Sequence, residues 1–138
     1  MSESFESKRA AEPVGAFPHA KRVGNLLFLS GIGPREPGTN SIPGNEYDAT
    51  GLLTKYDIAA QCHSVFKNVR TVLEASGSSW GQLIDVTVFL TNMKDDFTTY
   101  NKIYTEYFKD NQPCRTTVEI KSLPTRIAIE LKCIAVID

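Results

Sequence analysis

Cysteine and histidine are scarce in this chain: Cys62, Cys114, Cys133, His19 and His63 are the only ones among 138 residues. No C-x-x-C or Cys/His spacing joins them, which excludes a zinc site or a disulfide framework, and the thiols read as small buried hydrophobes of a reducing compartment. No Ser-His-Asp or Cys-His arrangement can be read from the spacing, and Gly31-x-Gly33 departs from both the dinucleotide and the P-loop patterns. Neither sign of charge is in excess. With 15 Lys and Arg against 16 Asp and Glu the formal net charge is −1, and without a basic cluster there is no electrostatic reason to expect nucleic acid or an acidic membrane as partner. Long apolar runs are missing too: no segment approaches the ~18 residues needed to cross a bilayer, and residues 1–12 lack the apolar core of a secretory signal. The expected address is the cytoplasm and the expected partner a small molecule.

What is present is one domain of alternating elements. Residues 1–16 read as a polar tail and 17–138 as a single domain. Val23 to Ile32 is a short strand apolar on both faces, and Pro34 to Gly51 is a loop with room for a hairpin. Thr54 or Asp57 caps a helix whose Ile58, Cys62, Val65, Phe66, Val69, Val72 and Leu73 recur at offsets of three and four, with Gly77 where it stops. Ile84, Val86, Val88 and Leu90 form the apolar face of an alternating strand. Asp95 or Asp96 caps a second helix with a stripe of Phe97, Tyr100, Tyr104, Tyr107 and Phe108, which is ordinary core packing. Two strands, Cys114 to Lys121 and Arg126 to Val136, close the chain around Leu123-Pro124. The order predicts an α+β fold, a sheet with both helices on one face.

Read as a hairpin with both apolar sets inward, the last two strands put Arg115 and Glu130 on one face, within roughly 5–8 Å. On a solvated face this is a plain cross-strand ion pair. Ile134 and Val136 extend the same face in apolar character, however, so something must cover it, and a second subunit is the expected cover. There the Arg115 guanidinium could take a carboxylate in bidentate fashion. His63 reads as a surface or helix-packing residue, whereas His19 lies close enough to the expected pocket to bind a ligand or move a proton.

Three segments, Val23-Gly24-Asn25-Leu26-Leu27-Phe28-Leu29-Ser30-Gly31, Gln112-Pro113-Cys114-Arg115-Thr116-Thr117-Val118-Glu119-Ile120 and Ile127-Ala128-Ile129-Glu130-Leu131-Lys132-Cys133-Ile134-Ala135, resemble the signature segments of the YjgF-type reactive-intermediate deaminase superfamily. The resemblance implies a chorismate-mutase-like fold, a homotrimer with sites in the clefts between subunits, and hydrolysis of imines or enamines without metal or organic cofactor. Carried over by position, Arg115 binds the substrate carboxylate, Glu130 positions the attacking water, and Ser30 and Gly31 line the pocket. Phe17 stands where common members have tyrosine, and Thr117 where many have cysteine, which argues against the usual 2-iminobutanoate or 2-iminopropanoate specificity. Within the superfamily the Phe17-Pro18-His19 start, the Ser30 to Arg35 segment and the Asn111 to Thr117 run look most like the 2-aminomuconate deaminases of aromatic-compound breakdown. A dicarboxylate substrate needs a second cation or donor, and His19, Lys21, Arg22 and Arg35 flank the right strand. The alternatives are a general 2-imino acid deaminase and a non-catalytic small-ligand-binding trimer on the same fold.

Overall fold

The computed structural model describes residues 2–138. Eight strands and two helices follow in the order β1 (Ser2–Phe5), β2 (Ala20–Val23), β3 (Leu26–Leu29), β4 (Glu46–Tyr47), β5 (Leu53–Lys55), α1 (Ile58–Ala75), β6 (Leu83–Leu90), α2 (Met93–Tyr107), β7 (Cys114–Glu119) and β8 (Ile129–Val136). Six strands make one mixed sheet in the order β1-β2-β3-β8-β6-β7, and β4 and β5 form a separate small hairpin inside the expected loop. Both helices pack on one face of the sheet, the α+β arrangement predicted from the sequence. Residues 2–16, read as a tail, contribute β1, which pairs antiparallel with β2.

Alternation explains the core. Leu27, Leu29, Val86, Val88, Leu90, Ile129, Leu131, Cys133 and Ala135 point to the helix face and are buried, each at every second position of its strand. Against them α1 presents Cys62, Val65, Phe66, Val69, Val72 and Leu73. The side chain of Asp57 caps α1 by accepting from the Ala60 amide at 3.1 Å, and Gly77 follows the helix at φ 90°, a left-handed conformation that costs glycine no side-chain clash. The second helix is capped by Asn92 rather than by Asp95 or Asp96: its side chain accepts from the Asp95 amide at 3.1 Å, while Asp96 lies inside the helix and takes the Tyr56 hydroxyl. Ile84 leaves the apolar face because a bulge between Leu83 and Asp85 buries Leu83 in its place. No described helix is long and apolar enough to cross a membrane.

The hairpin expected at the C-terminus does not form. β7 pairs parallel with β6, and β8 pairs antiparallel with the opposite edge of β6, so β6 separates them. A parallel neighbour needs a long crossover, and α2 supplies it between β6 and β7. β7 is therefore an edge strand. Its Arg115, Thr117 and Glu119 align with the helix-facing Val86, Val88 and Leu90, whereas Cys114, Thr116 and Val118 look away from the helices. Cys114 is exposed, unlike Cys62 and Cys133.

One buried polar residue fixes the entry into β8. Gln61, fully buried on α1, accepts the Ala128 amide at 2.8 Å and donates to Asn45 at 3.2 Å, and Asn45 in turn donates to the Arg126 carbonyl at 3.0 Å. Gln61→Leu is expected to lower stability by about 1–3 kcal/mol, because the Ala128 amide stays buried without an acceptor. Urea denaturation measures it, and an unchanged midpoint would show the bond to be dispensable.

Candidate active site

β3 and β8 pair from Leu26↔Val136 to Phe28↔Ile134 and touch again at the isolated bridge Ile32↔Leu131. Leu29, Ser30 and Gly31 on one side therefore face only Lys132 and Cys133 on the other, a bulge of one residue. Beside it opens a cavity of about 200 Å³ whose walls include Phe17, His19, Ser30, Gly31, Arg35 and Glu130. Six of the residues singled out in the sequence thus meet at one place. Ala10, Ala11, Pro13 and Val14 add a wall from the N-terminal segment, Asn68 and Val72 one from α1, and Pro124, Thr125 and Ile127 one from the chain entering β8.

Glu130 is the acid of this cavity. Its carboxyl is half-buried and accepts no hydrogen bond from any described residue, and burial holds its pKa above the ordinary 4.5. Gly31 makes room for it: a methyl group at that position would lie 2.6 Å from Oε2, well inside van der Waals contact. Ser30 is fixed rather than free, since its hydroxyl donates to the Pro18 carbonyl at 2.7 Å and its amide to the His19 carbonyl at 3.0 Å. Among the described residues Arg35 is the only Lys or Arg in the wall. Its guanidinium donates to Asn40 Oδ1 at 2.8 Å and to the Glu12 carbonyl, and its backbone carbonyl accepts from buried Asn68 at 2.8 Å.

His19 is tied by both ring nitrogens. Nδ1 accepts the Ser7 amide at 2.9 Å, which leaves Nε2 as the donor to the Ala11 carbonyl at 2.9 Å. The ring is therefore a brace for the N-terminal wall, with neither nitrogen free to carry a proton to a ligand. Phe17 covers the cavity with 41% of its surface exposed.

Arg115 and Thr117 are elsewhere. From Cys133, which is level with Val86 and Arg115, Glu130 lies three residues along β8. Two strand spacings and three residues of rise put the Arg115 and Glu130 Cα atoms roughly 14 Å apart, with side chains on opposite faces. Within one chain they cannot act together, which corrects the expected pairing. The Arg115 guanidinium is instead organised on the edge strand: it donates to Asn101 Oδ1 at 2.7 Å and stands over the Tyr104 and Tyr100 rings at 4.7 and 5.6 Å. Thr117 shares a 2.9 Å hydrogen bond with the Tyr100 hydroxyl. No carboxylate pairs with Arg115, and the buried Tyr104 hydroxyl beneath it has no partner among the described residues. Lys21 and Arg22 lie on β2 outside the cavity, and His63 bonds the Tyr107 hydroxyl on the far side of α1 at 2.7 Å.

The sequence and the fold are similar to those of known proteins. The family model described as Endoribonuclease L-PSP matches residues 7–137. A RutC family protein of Pyrococcus horikoshii is 36% identical over 135 residues, covering 98% of each chain. Reactive Intermediate Deaminase A of Arabidopsis thaliana is 32% identical over 96% of this chain and 65% of its own length. The crystal structure of Escherichia coli TdcF with bound serine superposes with a TM-score of 0.84 at 29% identity, covering 99% of both chains. The chain belongs to the L-PSP/YjgF/RutC family, among whose members are proteins named reactive intermediate deaminases.

The raised pKa of Glu130 has a signed consequence. Its folded-state value lies above the unfolded one, so its contribution to stability is fully present below about pH 4.5 and is lost as pH rises through the folded value. Glu130→Gln escapes that loss, and its stability relative to wild type is expected to increase from pH 4.5 toward neutrality. Denaturation at several pH values tests this, and a constant difference would contradict it. Gly31→Ala is expected to displace the Glu130 carboxyl and abolish small-ligand binding at the cavity while leaving the fold intact by circular dichroism.

Proposed function

We propose that the protein is a hydrolytic deaminase of small unsaturated amino or imino acids, with Glu130 as its acid-base group. The carrying observation is the Glu130 carboxyl itself: half-buried, without a hydrogen-bond partner, raised in pKa and facing a cavity of about 200 Å³ across a glycine. A carboxyl poised nearer neutrality can both accept a proton from water and return one. An imine accepts water at C2, Glu130 takes the proton and delivers it to nitrogen, and the carbinolamine collapses to the keto acid and ammonia. An enamine enters the same route through its imine tautomer. That the structurally similar TdcF holds serine, an α-amino acid, supports a small α-carboxylate ligand here.

The finer reading is a dicarboxylate substrate, 2-aminomuconate, converted to 2-oxohex-3-enedioate (4-oxalocrotonate) and ammonia. Two carboxylates need two cations. Arg35 lies in the wall with Glu130, and Arg115, unpaired by any carboxylate on an edge strand, is the second when a neighbouring subunit brings it to the cavity. Assembly is supported by the sheet face away from the helices, where Leu26, Phe28, Phe89, Ile134 and Val136 are only half-buried and Val23 and Val118 are exposed. A homotrimer with sites between subunits joins these features, and each guanidinium would hold one carboxylate in bidentate fashion.

Ammonium release from freshly generated 2-aminomuconate tests the activity, with 2-iminobutanoate as the comparison substrate. Glu130→Gln is expected to lose about 10²–10⁴-fold in kcat, and Arg35→Ala to lose activity on the dicarboxylate while sparing 2-iminobutanoate. Faster turnover of 2-iminobutanoate by wild type would remove the muconate assignment, and no ammonium from either would remove the deaminase reading. The shared site has its own test. Co-assembly of Arg115→Ala with Glu130→Gln chains in equal amounts restores about a quarter of the sites if each is built from two chains, since half the donors of each residue are intact, and none if a site is built from one chain.

A further inference from the structure

A second cavity, of about 310 Å³, opens between the β4–β5 hairpin and the segment 121–128. Its charge has one sign. Lys121 and Arg126 both line it, and neither is paired, because the one ion pair among the described residues is Lys55 with Glu46. Lys121 has no hydrogen-bond partner either, whereas Arg126 is held in place by the Gly51 carbonyl and the Tyr47 ring, 5.6 Å away. Among the described residues no Asp or Glu lines the cavity, and buried Asp96 is engaged behind it by the hydroxyl of Tyr56, another lining residue, at 2.6 Å. Leu53, Leu123, Ile127 and Ala128 give the lining its apolar part, beside the hydroxyls of Thr91, Ser122 and Thr125.

We propose that this cavity is a second binding site, for a small organic anion that joins a carboxylate to a short apolar body. Lys121 and Arg126 take the carboxylate and the leucines the apolar part. Its volume falls at the small end of ligand pockets, which suits a single ring or a short chain. Thr125 and Ile127 line both cavities, so Arg126, lying between them in sequence, is anchored in the partition that separates the second site from Glu130.

Benzoate is the ligand for the test, titrated into the full-length protein and followed by amide NMR shifts. Saturable shifts are expected at Leu53, Thr91 and Leu123, with little change at Ala11 and Gly31. Lys121→Glu, an exposed substitution that breaks no contact of the fold, is expected to weaken binding roughly tenfold or more, the loss of one charge-assisted contact. Glu130→Gln leaves the affinity unchanged. Shifts confined to Ala11 and Gly31, equal affinity in Lys121→Glu, or no saturation would each overturn the proposal. Because the readout is binding, it stands or falls separately from deamination.

Discussion

Between Phe28↔Ile134 and Ile32↔Leu131 the β3 side of the ladder has three residues and the β8 side two, and the strands must part to accommodate the extra one. The rest of the site depends on that mismatch. It frees the Leu29 carbonyl, which then accepts the Lys132 ammonium, so a charged side chain satisfies a backbone group that the sheet has abandoned. It also turns Ser30 and Gly31 toward Glu130 where a regular ladder would have continued past it. Only a residue without a side chain fits there, given an added methyl at 2.6 Å from the carboxylate.

The other walls are held by polar residues of the helix and the N-terminal segment. Asn68 sits among the core positions of α1 and donates to the carbonyls of Gly33 and Arg35 at 2.9 and 2.8 Å, which pins the chain leaving the bulge. Ser64 does the same for Pro34 at 2.8 Å. His19 ties residues 7–11 from its side chain, and its backbone amide donates to Phe5 at 3.0 Å. Loops that line a site gain precision when side chains of a packed scaffold fix their carbonyls, and here each wall segment has at least one such tie.

Much of this was legible before the structure. The three-and-four spacing from Ile58 to Leu73, the Asp57 cap, the alternation of Val86, Val88 and Leu90, and the position of Glu130 on the face opposite Ile129 and Leu131 follow from periodicity alone. The place of Arg115 is hidden from the sequence for a specific reason. On an edge strand both sets of side chains reach solvent, so the apolar look of Cys114, Thr116 and Val118 says little about which face meets the helices, and strands consecutive in sequence need not be neighbours in the sheet. The strand-helix-strand order from β6 to β7 is the signal that a parallel crossover was available. Asn68 was likewise readable: an amide on the apolar stripe of α1 is costly unless bonded, and it marks the place where backbone from outside the helix must arrive. Nothing comparable announces residues 10–14, whose wall role depends on where β1 and His19 hold them.

Glu130 and Lys132 share one face of β8, two residues apart, yet they form no ion pair with each other. Burial moves both toward neutrality, raising the acid and lowering the base. Two opposite charges free to meet in water would shift the other way, each stabilising the charged form of its neighbour. The pattern therefore describes a face already poor in solvent on a single chain, with Lys132 committed to the Leu29 carbonyl and Glu130 left without a partner. A second subunit covering this face would deepen that desolvation, and a guanidinium from its edge strand would join Arg35 as a cation within reach of a bound carboxylate. Under that cover Glu130 and Arg115 need not be neighbours in one chain. Their separation on the sheet, two strands and three residues apart, is the distance that the proposed shared site would bridge.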